Sequence, residues 1–409
     1  MPEFERGFGS ATRLTSFDEV DEVFRSQDFV QGSHIDGHPS AVLFHGSIAT
    51  VDGEEHFQRR RMEAKLFRKQ SLARFERSLP RALAMQFQSL AAKCDARRPV
   101  RADLVKLLRS TLMPLAAEIV GIDGLDNEHS IERLRLELLR ISDGSSARWS
   151  ALPLDRVVEA ATAGKEAFVR DYFLPSWDRR KSMLACGEEP PDDLITLLIA
   201  NPIAGWDEDV NVREALLFFT GAANTPALVT PHIVRDILEW LRHHPRDGVK
   251  CVGEGASDFL WRCAVESLRL HLEVPAHFRR AVRGGVLSSG RGYRAGEVIA
   301  LDIVASSRDP GVYGAGADEF NPYREPPKRG MAFGFAFGGG RHTCIGRELM
   351  IGPQVVEASD PTATRGILTQ LLGALFDHGI GLDPDRPPAL SPDRNRPEYT
   401  EFGVTFAAV

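Results

Sequence analysis

The 409-residue sequence predicts a mostly α-helical fold with a smaller β region, an α+β arrangement, and three observations predict it. Apolar residues recur at helical spacing from about residue 54 to 271. After Pro275 the pattern changes to short β-branched pieces punctuated by glycine, such as Gly285-Val-Leu and Glu297-Val-Ile-Ala-Leu-Asp-Ile-Val. The stretch 306–343 is crowded with Gly, Pro and Asp, too rich in breakers for a long regular element, and a loop of that length usually has a function.

In chain order, the periodicity predicts helices near 54–69, 71–93, 101–121, 153–175, 207–241 and 257–271. Helical pattern resumes at Gly366, ahead of a terminal hairpin near Phe402. No repeat or linker divides the chain. One domain over 1–409 is therefore expected, with a helix-rich body at about 54–271, a β-rich and loop-dominated part at about 272–350, and a C-terminal helix and hairpin at about 364–409.

Composition narrows the function. A net charge of −7 argues against broad nucleic-acid binding, and ordinary apolar and charged fractions (43% and 26%) argue against disorder. The charged start, Met-Pro-Glu-Phe-Glu-Arg, has no signal-peptide core, and no stretch reaches the roughly 18 apolar residues of a membrane span. A cytoplasmic monomer acting on a small molecule is expected. Five scattered cysteines without a Cys-x-x-Cys pair (Cys94, Cys186, Cys251, Cys263 and Cys344) argue against a disulfide framework or a zinc site, so any cysteine chemistry belongs to one residue.

That residue is Cys344. Residues 337–346 read Phe-Gly-Gly-Gly-Arg-His-Thr-Cys-Ile-Gly, and Arg347-Glu-Leu-Met opens a helix. A thiolate at this junction would accept backbone N–H bonds and gain from the helix dipole, which lowers its pKa. Gly338, Gly340 and Gly346 would let backbone approach a flat cofactor. An isolated cysteine beside a glycine turn is usually inert and buried. The ten-residue context overturns that reading, because it resembles the heme-binding loop of the cytochrome P450 superfamily, Phe-Gly-x-Gly-x-His-x-Cys-x-Gly, with every fixed position filled.

The resemblance implies the P450 fold, with heme b held between a long distal helix and the cysteine loop, and Cys344 as the iron ligand. Phe337, Gly338 and Gly346 would contact the heme. It also implies roles for residues whose spacing alone is ambiguous. Glu266 and Arg269 sit at i, i+3 on a predicted helix and by themselves would read as a surface ion pair; in the family this Glu-x-x-Arg joins an arginine of the segment before the cysteine loop, here Arg324 of Phe320-Asn-Pro-Tyr-Arg. His56 and Arg60, at i, i+4, would bind a heme propionate with His342 and an arginine after Pro275; counting back from Arg294-Ala-Gly favours Arg280, with Arg279 as the alternative.

The segment Phe218-Phe-Thr-Gly-Ala-Ala-Asn-Thr-Pro would cross the distal face. Ala222 would leave room for dioxygen, Thr225 would hydrogen-bond bound oxygen, and Pro226 should open the helix at the Ala222 carbonyl. Asn224 stands where the family usually has an acid, and Asn cannot carry a proton. Pocket-lining expectations are the stretch 33–50, Phe218, Phe219, Ala222, residues 274–278 including Val274 and Phe278, and the hairpin near Phe402.

The implied activity is monooxygenation of a small apolar substrate, with electrons from NAD(P)H through a separate ferredoxin or flavodoxin and its reductase. Asn224 keeps open a peroxide-driven or non-oxygenating enzyme, and a heme-based sensor is the rival from another class. Arg59, Arg60, Arg61, Lys65, Arg68 and Lys69, with Arg347, suggest a basic docking face for the donor. Two departures from the family remain: few strands are expected before Ala11-Thr-Arg-Leu, and Gly352-Pro353 with the polar run from Glu357 interrupts the helix after Cys344.

Overall fold

The computed structural model describes residues 7–34, 38–92, 99–202, 206–253, 255–354 and 363–407. Cys94 and most of the polar run from Glu357 lie outside them. The helices are α1 (Phe17–Arg25), α2 (Ala41–Phe44), α3 (Gly53–Glu63), α4 (Lys69–Ala92), α5 (Leu104–Val120), α6 (Glu128–Ser145), α7 (Leu154–Phe168), α8 (Leu174–Ala185) and α9 (Leu194–Ala200). They continue with α10 (Glu208–Ala223), α11 (Thr225–His243), α12 (Ala256–Leu270), α13 (Ile303–Ser306), α14 (Pro310–Tyr313), α15 (Arg347–Ile351) and α16 (Ile367–Asp377).

The predicted helices appear, two of them shifted and the one at 207–241 split in two, and several further helices are present that were not predicted. The segment predicted at 101–121 begins as a strand, Val100–Asp103, and turns helical where the Asp103 side chain caps the N–H of Val105. The segment at 153–175 runs on to Ala185 through a wide turn over Val169–Phe173. The longest of the unpredicted helices is α6, in which three Glu and three Arg interrupt the apolar spacing. Its buried stripe is narrow, Ile131, Leu134, Leu138 and Ile141, and an Asn127–Ser130 capping box starts it.

The strands form small sheets. The first seven strands are β1 (Thr12–Leu14), β2 (Phe29–Gln31), β3 (Val100–Asp103), β4 (Ala276–Ala281), β5 (Gly285–Val286), β6 (Gly292–Tyr293) and β7 (Val298–Asp302), and in the largest sheet the spatial order is β1, β7, β4, β2. β1 pairs parallel with β7, Arg13 opposite Ala300; β4 pairs antiparallel with β7 and β2, so that Arg280 stands opposite both Val298 and Val30. A second sheet, in the order Val100–Asp103, Gly403–Phe406, Ile380–Leu382, fastens the C-terminal segment to the start of α5.

The principal core lies among α4, α5, α10, α11, α12 and α16, and is filled by Phe75, Leu108, Phe168, Phe219, Leu260 and Leu372. A separate cluster of Leu14, Phe17, Phe24, Ile299 and Leu301 seals α1 against the largest sheet. This mostly helical arrangement places the cysteine loop beside α1 and α3, and the α10–α11 pair across a cavity from it. Among the described residues no helix is long and apolar enough to cross a membrane.

Candidate functional site

A cavity of about 410 Å³ is bordered on one side by Phe337, Gly338, Cys344 and Gly346 and on the other by Phe218, Ala222 and Thr225. The Cys344 N–H donates to the Phe337 carbonyl at 2.8 Å, which folds the loop back on itself. Burial raises the thiol pKa, while the N–H groups of Gly346 and Arg347 and the guanidinium of Arg60 pull it down without winning. Burial thus opposes the lowering expected from the junction. Gly338 adopts φ +67°, and a Cβ there or on Gly346 would meet nothing closer than 3.7 Å, so both faces stay open to the cavity. Gly340 has another reason. Its Cβ would stand 1.9 Å from the Phe24 carbonyl, so it permits the loop to pack on α1 and does not serve the cavity.

Nitrogen donors gather at one edge of the cavity. His56 is 5% exposed, its Nε2 has no hydrogen-bond partner among the described residues, and burial pushes its pKa down to about 4. Its ring lies 4.1 Å from that of His342, whose Nε2 is 3.0 Å from Asp52 Oδ1. Burial works against ionisation of Asp52, but His342 and the N–H of Gln31 hold its carboxyl below the usual range. Arg60 borders the same edge. The second arginine is Arg279 and not Arg280. Successive residues of a strand face opposite ways. Arg279 is 4% exposed, borders the cavity and donates to Gln31 Oε1 at 2.7 Å, whereas Arg280 is exposed on the far face of β4. An orphaned imidazole, two arginines and an imidazole already tied to an acid fit a group that brings two carboxylates, as heme does.

The distal helix breaks at Asn224. Pro226 has no N–H to give the Ala222 carbonyl, and the chain is read as two helices that meet there. Thr225 and Ala222 face the cavity, as does Thr220, a residue sequence reasoning missed, whose hydroxyl is buried with no hydrogen-bond partner among the described residues. Asn224 does not border the cavity; its Nδ2 donates to Ser142 on α6 at 2.7 Å. Of the expected pocket residues, Phe218, Val274 and Phe278 line the cavity with residues from 33–49. Phe219 and Phe402 do not. Both are fully buried in the helical core, Phe219 because it lies a helical step (about 100°) round from Phe218 and packs on Phe168.

Beneath the cysteine loop, Arg269 binds Glu266 bidentately at 2.7 and 2.9 Å, and Arg324 Nε reaches Glu266 Oε1 at 2.8 Å. Arg269 also donates to the carbonyls of Ser307 and Ala317, and Arg324 to those of Tyr313 and Gly316. Glu266 and Arg269 are 4% and 0% exposed, so the surface ion-pair reading does not hold. The cluster ties the breaker-rich loop to α12.

A second buried group was not legible in the sequence. Arg59 and Glu63, which read as part of an exposed basic helix, are 2% and 0% exposed. Arg59 reaches Glu214 of α10 at 3.4 Å and stacks 3.9 Å over Trp206. Burial and the neighbouring Glu214 raise Glu63 well above the carboxylate range, and burial raises Glu214 to about 7. The signal was the charge spacing on α3, which alone does not say which side faces inward.

A single cysteine presented to a cavity, a glycine-rich loop locked by a Glu-Arg-Arg cluster and a broken helix opposite define a heme-thiolate class of site. The family model described as Cytochrome P450 matches residues 258–350. Cytochrome P450 CYP105Q4 of Mycobacterium marinum is 23% identical over 82% of this chain and 75% of its own length. Cytochrome P450 52A4 of Candida maltosa is 32% identical over 105 residues, 23% of this chain and only 20% of that protein. The crystal structure of P450BioI in complex with hexadec-9Z-enoic acid ligated acyl carrier protein superposes with a TM-score of 0.73 at 15% identity, covering 96% of this chain and 91% of that one. The family model, these relatives and the structural neighbours all support the cytochrome P450 superfamily. The relatives and structural neighbours are named cytochrome P450 monooxygenases, which are oxidoreductases, and that family implies a heme.

Proposed function

We propose that this chain is a heme-thiolate monooxygenase that inserts one oxygen atom from O2 into a small, largely apolar organic substrate, with Cys344 as the sulfur ligand. The observation that carries the reading is Cys344 facing, across one cavity, the helix break that presents Thr225. Heme b, when bound, supplies the oxygen-activating chemistry, and a thiolate ligand favours O–O cleavage. His56, Arg60 and Arg279 would hold its carboxylates, with His342 fixed by Asp52 beside them. Phe337, Gly338 and Gly346 would pack against the cofactor, and Ala222, across the cavity, would leave room for oxygen. Thr225, at the break, holds water and passes a proton inward. Phe218, Val274 and Phe278 exclude bulk water and orient the substrate. Electrons come from NAD(P)H through a separate ferredoxin or flavodoxin.

The test is spectroscopic. Reduced protein under carbon monoxide should show the absorption diagnostic of thiolate ligation, and Cys344→Ser should abolish it; persistence of the band in that variant would remove the central assignment. Asn224 supports a second reading, a peroxide-driven enzyme. Turnover with peroxide but none with NADPH and a donor system would select it.

A further inference from the structure

We propose that Arg148 anchors a carboxylate of the substrate, so that the pocket takes an organic acid with an apolar body; this rests on the cavity being the substrate pocket proposed above. Arg148 lies on the short turn Ala147–Trp149 between α6 and α7 and borders the same cavity as Cys344 and Thr225. Its guanidinium stacks 4.1 Å over the Phe278 ring, which fixes the plane of the group. Nε donates to His38 Nε2 at 3.3 Å. Its two terminal nitrogens have no hydrogen-bond partner and no carboxylate within 4.0 Å among the described residues.

The other arginines on the cavity wall are accounted for. Arg396 is held by Glu398 at 2.9 Å and Ser146 at 3.0 Å, with Glu273 beside it. Arg279 is held by Gln31 in the field of Asp52, and Arg60 stands at the cofactor edge near Cys344 and Glu63. Glu273, the acid on the wall, is engaged by Arg396. His34 and His38 are neutral at pH 7, since burial pushes them to about 4 and about 3, so they add neither charge nor a competing anion. Burial also disfavours the charged form of Arg148. A half-buried guanidinium unmatched among the described residues, with its fork open to a lumen, is stabilised most by an anion, because a charge-assisted pair is roughly twice as strong as a neutral hydrogen bond. The fork geometry suits a planar carboxylate. Phe44, Ile48, Leu217 and Leu272 line the same cavity, which requires the rest of the ligand to be apolar. The acid end is thereby held at Arg148, and oxidation falls on the body of the molecule.

Equilibrium dialysis of the heme-loaded protein against dodecanoate and against dodecanamide tests this. Wild type should bind the acid about tenfold or more tighter than the amide, the factor expected of one charge-assisted pair. Arg148→Gln should erase the preference by weakening the acid alone, and Arg148→Lys should restore part of it, the unchanged amide affinity showing that the pocket is intact. Equal affinities in wild type, equal loss of both ligands in Arg148→Gln, or failure of octanoate, dodecanoate, hexadecanoate and 4-phenylbutyrate alike to bind would overturn the proposal. The dialysis does not depend on the carbon monoxide band. A wild type with the band but no acid preference loses only the anchor, while an acid preference without the band leaves the anchor and removes the monooxygenase reading.

Discussion

Asn224 Nδ2 donates to Ser142 Oγ at 2.7 Å, so the residue that replaces the family's usual acid is turned away from the cavity and tethered to α6. Its Oδ1 is buried without a partner among the described residues. An acid here would reverse the bond, with the Ser142 hydroxyl donating to it, and would add a group that can exchange protons. Asn224→Asp should therefore keep or raise the coupling of NADPH consumption to product, while Thr225→Ala should divert electrons to peroxide. Oxygen uptake, peroxide release and product measured together check both. If neither change alters coupling, the proton route does not pass the helix break.

Arg279 and Arg280 separate two readings of one strand. Arg279→Ala removes a buried donor from the cavity edge; Arg280→Ala removes an exposed side chain on the opposite face. Heme loss, followed by transfer to apomyoglobin, should accelerate about tenfold or more in the first, the factor for one charge-assisted hydrogen bond, and stay at the wild-type rate in the second. Faster loss from Arg280→Ala alone would reverse the assignment.

What the sequence made legible follows from how local each signal is. The cysteine loop, the Glu266-x-x-Arg269 pair and the Pro226 break are short-range patterns, and the structure brings Glu266, Arg269 and Arg324 together at 2.7–2.9 Å although Arg324 is 58 residues away from Glu266. Orientation is a longer-range matter. Which of Arg279 and Arg280 faces inward depends on the pairing of β4 with β7, a one-residue question that composition cannot answer. The same applies to Phe218 against Phe219, and to Arg59, hidden in a helix whose charges suggested a fully solvated face. Arg148, a lone arginine in a short connection, carries no pattern that a sequence can reveal.

Removing one member of the buried Glu266 cluster leaves its partners charged without compensation. Glu266→Ala strands both Arg269 and Arg324, and Arg269→Ala takes from Glu266 its bidentate partner, leaving it to Arg324, and frees two carbonyls. Each should lose roughly 3–5 kcal/mol and yield little folded holoprotein. Heme content per polypeptide measures it. Normal content in Glu266→Ala would mean that the breaker-rich loop is held by other contacts.

His232 sets part of the acid limit of stability. It is 7% exposed, stacks on His271 at 4.6 Å and lies 4.7 Å from Tyr399. Burial, aided by His271 and opposed by Asp236, pushes its pKa down to about 3. An unfolded histidine titrates near 6.5, so below that pH the unfolded chain binds the extra proton and the folded chain does not. The stabilisation is complete above pH 6.5 and is lost as pH falls, by about 2 kcal/mol between pH 6.5 and 5. His232→Gln cannot titrate, and its urea midpoint should fall less than that of wild type between pH 7 and 5. Parallel losses in the two proteins would assign the acid sensitivity to other groups.

The last prediction concerns the electron donor. Arg61, Lys65 and Arg68 are exposed along α3 and the turn that follows, Phe57 stands 59% exposed on the same helix, and Arg347 lies just beyond Cys344. Arg59 does not belong to this face, because it is buried against Glu214 and Trp206. The remaining cations border the side of the cysteine loop from which electrons would enter, and they complement an acidic ferredoxin despite the chain's net charge of −7. Rim charges act mainly on association rate and weaken as salt shortens the screening length to about 8 Å at physiological ionic strength. Reversal of charge at Arg61, Lys65 or Arg68 should slow reduction by the protein donor, most at low salt, with the advantage of wild type shrinking as salt rises. Reduction by dithionite and affinity for substrate should not change, since none of the three borders the cavity. Stopped-flow reduction across a salt series makes the comparison, and equal donor-driven rates for wild type and all three reversals at low salt would place the docking face elsewhere.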